Sequence, residues 1–344
     1  MEMKDIRAAA REKLKGWCRV CPICNGRACA GEVPGMGGAG TGAAFMENIR
    51  ALEAWKLNLR TLHDAETPDM STELFGIPLS VPIMGAPIAG ASYNLGNALS
   101  EEELAHAFVA GCRDAGTISW TGDGVDLSLF DQGLAAIKAA GGMGIPTVKP
   151  RGVDAIIKRI RLAEEAGAVA VAVDVDAAGF HSMAAKGQPV GPTTARDITA
   201  LVGATSLPVI LKGIMTPDEA ALAASLGAGG IVVSNHGGRV LESCPGTADV
   251  LPDIAAAVKG KLKIILDGGI RSGSDVLKAL ALGADCVLVG RPLAVAAVGG
   301  GAQGVSTALR GMAGNLLSAL LLTGTRNVNT VPPRILVRSQ QHLI

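Results

Sequence analysis

Residues 208–239, PVILKGIMTPDEAALAASLGAGGIVVSNHGGR, decide the fold. Two short β-rich apolar runs, Val209–Leu211 and Ile231–Val233, flank a segment of helical spacing, Thr216–Leu226, whose first turn is acidic (Asp218, Glu219). A β–α–β unit of this length makes the two strands parallel neighbours in one sheet, with their carboxyl ends on one face. Lys212, His236 and Arg239 then open onto a single crevice, the rim where α/β proteins bind ligands. A lone histidine there would more often cap a loop. Two cations and an imidazole at adjacent strand ends favour a ligand site instead.

Working outward, eight apolar runs of strand length recur: Pro82–Ala86, Thr117–Trp120, Ile145–Lys149, Val169–Asp176, Val209–Lys212, Ile231–Asn235, Ile264–Asp267 and Cys286–Gly290. Helical stretches separate them, at Glu101–Ala115, Leu134–Ala140, Asp154–Ala166, Ala195–Val202, Pro217–Leu226, Ala248–Val258 and Ser274–Leu282, with a last one at Ser306–Leu322. Eight alternating units predict an α/β fold of the closed (β/α)8 TIM-barrel type rather than an open doubly wound sheet. An open sheet carries its glycine fingerprint after the first strand, and Gly85-Ala86-Pro87 is not one. The expected organisation is a helical, Cys-rich lead-in over 1–77, a barrel over 78–330 and a tail over 331–344. Within the lead-in, Lys4–Lys15 and Ala44–Asn58 read as helices.

The seventh strand runs into Asp267-Gly268-Gly269-Ile270-Arg271-Ser272-Gly273, and the eighth into Gly290-Arg291-Pro292. Glycine lets backbone approach an anion, and arginine with helix N-terminal amides favours phosphate. Loops after strands seven and eight are where barrel enzymes hold phosphate. Tight turns alone would also use these glycines, but not an arginine in each loop. Asp267 ends a buried strand, so its carboxylate needs a hydroxyl or a cation, and a sugar or ribityl hydroxyl would serve.

Composition narrows the function classes. Lys+Arg and Asp+Glu each total 31, and aromatics are 3%, so there is neither a basic field nor a stacking platform for nucleic acid. No uninterrupted apolar run reaches the roughly 18 residues of a membrane span. The start, MEMKDIRAAAREKLKG, lacks the apolar core of a signal peptide, and the expected location is the cytoplasm. Mean hydropathy is +0.36, enough to fill a large core. Four of seven cysteines, Cys18, Cys21, Cys24 and Cys29, fall in a C-x2-C-x2-C-x4-C run. Thiolates two apart on a turn converge on one centre, so an iron–sulfur cluster or zinc is expected, with free thiols or a redox pair as alternatives.

SNHGGR at Ser234–Arg239, LKG at Leu211–Gly213, DGGIRSGSDVLKALALGAD at Asp267–Asp285 and VGRP at Val289–Pro292 closely resemble the FMN-dependent α-hydroxy-acid oxidases and dehydrogenases. The resemblance runs from about residue 78 to 330, with Pro82–Ala89, Ser119-Trp120 and Ala172–Asp176 matching more loosely. It implies FMN as cofactor and oxidation of a 2-hydroxy acid to a 2-oxo acid. By that resemblance His236 is the active-site base, Asp176 its carboxylate partner and Arg239 the clamp on the substrate carboxylate. Lys212 would sit at the flavin N1 and O2. Ala86, Pro87, Ile88, Ala89, Ser119 and Ser234 would lie along the ring, with Asp174 at a ring-contacting position; Lys149, ending a strand at the same rim, reads either as a flavin or substrate contact or as a solvated strand end. Asp267, Gly268, Gly269, Arg271, Gly290 and Arg291 would hold the ribityl chain and phosphate. The family's usual assembly, a homotetramer, is implied as well.

The departures lie on the substrate side. The family's third strand carries Gln-x-Tyr, whereas this chain has Ile145-Pro146-Thr147-Val148-Lys149-Pro150. Its only tyrosine is Tyr93, and the loop Ala177-Ala178-Gly179-Phe180-His181-Ser182 lacks the family's arginine. Asp174 stands where the resemblance expects threonine. The flavin half and the base–arginine pair are kept, and the substrate half is rebuilt. With cysteines in place of the family's ordinary N-terminal region, an electron-acceptor protein instead of dioxygen is the expected partner. Two alternatives are an FMN barrel with isomerase chemistry, as in type 2 isopentenyl diphosphate isomerase, and a flavin redox sensor. Retention of His236 with Arg239 argues against the isomerase.

Overall fold

The computed structural model describes residues 1–339, apart from the side chains of residues 181 and 182. Eight parallel strands close into a barrel: β1 (Ile83–Gly85), β2 (Ser119–Thr121), β3 (Gly144–Val148), β4 (Val171–Asp174), β5 (Val209–Ile214), β6 (Gly230–Val233), β7 (Lys263–Asp267) and β8 (Cys286–Val289). Each pairs with its sequence neighbour, and β8 pairs with β1 through Val287↔Ile83. The (β/α)8 expectation holds. Within the 208–239 unit the helix is Pro217–Ser225; Thr216 caps it by accepting from the Glu219 amide, and Pro217 fills the first turn where no donor is needed.

Side chains alternate across each strand, so every second residue points into the barrel. Trp120, Ile145, Ala172, Ile210, Val232, Ile265 and Leu288 form one buried cluster inside it. A hairpin, Thr72–Leu74 against Ile77–Leu79, closes one end of this cluster with Leu74 and Leu79. One step further along the inward rows the residues turn polar: Thr147 on β3 and Lys149 just past its end, Asp174 on β4, Lys212 on β5 and Asp267 on β7. The barrel is thus an apolar plug below and a charged floor at the carboxyl ends.

Differences from the sequence reading cluster where partners are distant in sequence. The helix expected over Ala44–Asn58 stops at Glu53, because Trp55–Leu57 pairs antiparallel with Leu336–Arg338 near the other end of the chain. The helix at Leu134–Ala140 begins earlier, at Ser128. The last helix starts at Arg291, not Ser306, and runs to Thr323 across a break at Gly301. By length and mean hydropathy alone it would reach across a bilayer, but it is broken at Gly301, interrupted by Gln303 and Arg310, and buries much of its length against the barrel helices, as a core helix does. It packs against the helices Met3–Lys13, Glu101–Asp114 and Gly273–Ala281. Ile6, fully buried on this seam, contributes about 2–3 kcal/mol by leaving water.

Candidate active site

The charged floor opens into a cavity of about 610 Å³ at the carboxyl ends of the strands, within the roughly 300–1,000 Å³ of small-molecule sites. Register builds its centre. Asp174 and Lys212 are opposite one another across β4 and β5, and the lysine ammonium donates to Asp174 Oδ1 at 2.9 Å. The Lys149 ammonium donates to the other oxygen, Oδ2, so one carboxylate holds two cations. His236 follows β6 in a left-handed conformation, φ 58°, that costs a non-glycine residue about 1–3 kcal/mol. Its amide donates to Ser234 Oγ at 3.0 Å, and Ser234 in turn donates to Asp267 Oδ2 at 3.0 Å. This chain of contacts aims the imidazole into the cavity.

His236 Nδ1 donates to Asp176 Oδ1 at 2.8 Å and lies 3.4 Å from Asp174 Oδ1. That fixes the tautomer and leaves Nε2 to exchange a proton with a ligand. Burial pushes the His236 pKa below its ordinary value; Asp174 and Asp176 oppose this, while Lys212 and Lys149 add to it. The imidazole is therefore a neutral base near pH 7. Burial works against ionised Asp174, yet His236, Lys149 and Lys212 together hold it well below the usual carboxylate range. Burial opposes the Lys212 charge too, and Asp174, Asp176 and Asp267 overcome it. Asp174, Asp176 and His236 are close enough to suggest a metal site. The Lys212 ammonium already serves both carboxylates, 2.9 Å from Asp174 and 4.0 Å from Asp176. Gly213, φ 111°, sits at an irregularity in β5; a Cβ there would fall 2.4 Å from Asp176 Cβ. Only glycine lets Asp176 reach the histidine.

The arginines are arranged by the N-terminal lead-in. Arg271 donates to the Cys24 carbonyl at 3.0 Å and lies 3.7 Å from its Sγ. Arg291 donates to Met36 and Gly37 carbonyls, each at 2.7 Å, and to Gly237 O at 3.0 Å, with its guanidinium 3.7 Å from the Phe45 ring. Arg239 donates to the Gly35 carbonyl and, at 2.9 Å, to Asn94 Oδ1. Burial and the neighbouring Arg239 and Arg271 push the Arg291 pKa down. Residues 24–37 thus form a strap across the three guanidiniums.

Of the residues singled out from sequence, His236, Arg239, Lys212, Lys149, Asp174, Asp267, Gly290, Arg291 and Ala86–Ala89 line the cavity together. Asp176 stands behind the histidine. Ser119, Ser234, Gly268, Gly269 and Arg271 do not line it. Ile118 and Trp120 point into the barrel, so alternation turns Ser119 outward, where its hydroxyl donates to Trp120 O. Gly269, φ 85°, serves close packing: a Cβ would lie 2.4 Å from Asn48 O on the helix Ala43–Glu53. Ser234 acts from beneath, through the contacts to His236 and Asp267. The four cysteines are unpaired. Among the described residues no three of them bring their sulfurs within 4.8 Å of one another, whereas tetrahedral zinc spaces thiolates by about 4 Å.

Sequence reasoning missed Tyr93, Asn94, Met36, Phe180 and Asn48. Tyr93 lines the cavity, and burial together with Glu101 pushes its pKa up to about 12. It supplies a phenol at the mouth from a different element than the family pattern suggests. Phe180 stands edge-on to His236, centroids 5.2 Å apart, with Lys149 Nζ 5.0 Å over its ring. Asn48 exchanges amide hydrogen bonds with Asn235 at 2.8 and 3.0 Å, tying the strap's helix to the histidine loop. A single Asn among the apolar positions of an amphipathic helix was the only signal.

Barrel, cavity, buried imidazole and guanidinium define a class: a (β/α)8 site that pairs a base with a cation for an anionic ligand. A family model described as FMN-dependent dehydrogenase matches residues 35–188 and 180–338. L-lactate oxidase of Lactobacillus jensenii is 33% identical over 323 residues, 83% of this chain and 76% of that protein. Human 2-hydroxyacid oxidase 1 is 33% identical over 336 residues, 86% of this chain and 88% of that protein. The crystal structure of mandelate oxidase superposes with a TM-score of 0.81 at 31% identity, covering 98% of this chain and 97% of that one. The chain belongs to the FMN-dependent dehydrogenase family and is an FMN-dependent oxidoreductase. The cavity fits FMN at its ring end. Thr147 Oγ1, buried in the lining, has no partner among the described residues and offers a hydroxyl to a ring heteroatom.

Proposed function

We propose that the protein oxidises 2-hydroxy acids with apolar side chains to 2-oxo acids, and that its electrons leave to an acceptor other than dioxygen. FMN, when bound, supplies the two-electron acceptor for the substrate carbon. Lys149, Asp174, Lys212 and Ala86–Ala89 would hold its ring; Asp267, Gly290 and Arg291 would hold the chain and phosphate. Arg239 pairs with the substrate carboxylate in a two-point fork, having only neutral partners to give up. His236 Nε2 takes the proton released as hydroxyl becomes carbonyl, and Asp176 steadies the imidazolium. The observation that carries this reading is the His236–Asp176 contact at 2.8 Å beside Arg239 in one cavity.

The substrate wall supports an apolar side chain. Val33, Pro34, Met36, Phe180, Met183 and Val240 form it. Anaerobic bleaching of the bound flavin by a panel of 2-hydroxy acids tests this. Branched or aromatic members should bleach at lower concentration than glycolate; no bleaching by any of them would refute the reading.

The acceptor argument rests on Cys18, Cys21, Cys24 and Cys29, all unpaired and partly exposed. A cubane iron–sulfur cluster spaces its thiolates more widely than zinc does, and would supply one-electron transfer beside the strap. Iron and acid-labile sulfide in anaerobically purified protein are the measurement. Absence of both would leave the cysteines as thiols. Cys24→Ser should then change neither flavin content nor stability by more than about 0.5 kcal/mol, whereas a cluster ligand's loss would remove the metal.

A further inference from the structure

We propose that Asp174 is a positioning residue that sets two properties at once: the charge on the floor of the flavin cavity, and the basicity of His236. The proposal rests on the FMN reading for its first half only. Asp174 is 3% exposed, and both its oxygens are engaged: Oδ2 by Lys149, Oδ1 by Lys212 at 2.9 Å and, more distantly, by His236 Nδ1 at 3.4 Å. Its place is fixed by backbone register with Lys212, not by a flexible side chain reaching across. The motif comparison expects neutral groups here, a threonine on β4 and Gln-x-Tyr on β3. This chain has instead a buried carboxylate and a buried ammonium, Lys149, 7% exposed.

Exchanging neutral residues for a buried ion pair gives no obvious gain in stability, because desolvating both ions offsets most of their attraction. What it does provide is local control of charge. Among the described residues the charged groups set against His236 are Asp174 and Asp176 from the end of β4, Lys212 from β5 and Lys149 just past β3, with the Phe180 ring edge-on. Asp174 touches both lysines and lies 3.4 Å from His236 Nδ1. It therefore cancels part of the Lys212 charge at the cavity floor while sharing the Nδ1 proton with Asp176. Removing Asp174 makes the floor one unit more positive; removing Lys149 makes it one unit more negative. A merely structural role would damage both variants in the same direction.

The test uses the full chain as Asp174→Asn, Lys149→Met and the double variant. In flavin-free protein, the ring titration of His236 followed by NMR should move to lower pH in Asp174→Asn and to higher pH in Lys149→Met. In flavin-loaded protein, sulfite should bind about tenfold more tightly to Asp174→Asn and about tenfold more weakly to Lys149→Met. The flavin reduction potential should rise in the first and fall in the second. The double variant should return close to the parent on all three. Shifts of the same sign in both single variants, or none, would overturn the proposal. Lys149→Met leaves Asp174 paired with Lys212, so it tests the sign even if Asp174→Asn does not fold. Failure to bind flavin in the parent would refute the FMN reading, and the histidine titration would still decide the role of Asp174.

Discussion

The rim from β4 to β6 and the strap from Cys24 to Gly37 meet over one cavity and are built by opposite means. On the rim, parallel pairing places Asp174 against Lys212, and the turn after β6 delivers His236 onto Asp176. The strap has little regular structure. Its carbonyls at Cys24, Gly35, Met36 and Gly37 are held by the donors of Arg271, Arg239 and Arg291. Proton chemistry thus sits on the ion-paired rim, and anion capture on guanidiniums that rest against the strap's neutral carbonyls. Guanidiniums resting on neutral carbonyls lose little when an anion arrives, whereas the ion-paired rim cannot rearrange without exposing a buried charge.

The sharpest way to break this contrast is His236→Ala. It should lower kcat by about 10³-fold, within the range for a positioned base, while flavin content stays near that of the parent. Loss of flavin instead would show that the rim also anchors the cofactor. Arg239→Lys should act through KM, raising it about 10–100-fold as one charged two-point contact is lost. A fall in kcat alone would mean that Arg239 acts in the chemical step rather than in anion capture. Gly213→Ala tests the rigidity of the rim. Positive φ and the close approach to Asp176 should cost about 1–3 kcal/mol in denaturant unfolding, and kcat should fall with it. An unchanged kcat would mean that Asp176 is not what orients the base.

The smallest effect is with pH. His236 has a pKa below the ordinary 6.5 in the folded chain, chiefly through burial. Between that folded value and 6.5 the unfolded chain binds more protons, so stability rises with pH across this window and is lost as pH falls through it. The slope should not exceed about 1.4 kcal/mol per pH unit. The acid limb of kcat/KM should likewise lie below pH 6.5. A limb above that value would mean that Asp176 and Asp174 outweigh burial.

Legibility in the sequence followed the range of the interaction. The eight strands, the Thr216-Pro217 helix start and the Lys212, His236 and Arg239 constellation depend on local periodicity and on a short βαβ unit. Ser119 shows the limit of motif spelling: the alternation of Ile118 and Trp120, visible in the same letters, would have turned it outward. Arg271 and Gly269 show another limit. Their chemistry suits phosphate, yet the partners they meet, Cys24 and Asn48, are more than 200 residues away in the chain. Tyr93 was legible only as the chain's single tyrosine, and its place beside Arg239 belongs to the tertiary fold.

By itself the sequence determined the barrel and the placing of Lys212, His236 and Arg239 at its mouth. These follow from period-two and helical patterning, which short-range sterics and burial impose on any chain with those letters. Only the tertiary structure decided that Asp174 holds two lysines at once, that glycine at 213 admits Asp176, and that a cysteine-bearing strap occupies the guanidiniums. Each of these is a meeting of side chains from separate elements, and its geometry depends on how the barrel closes.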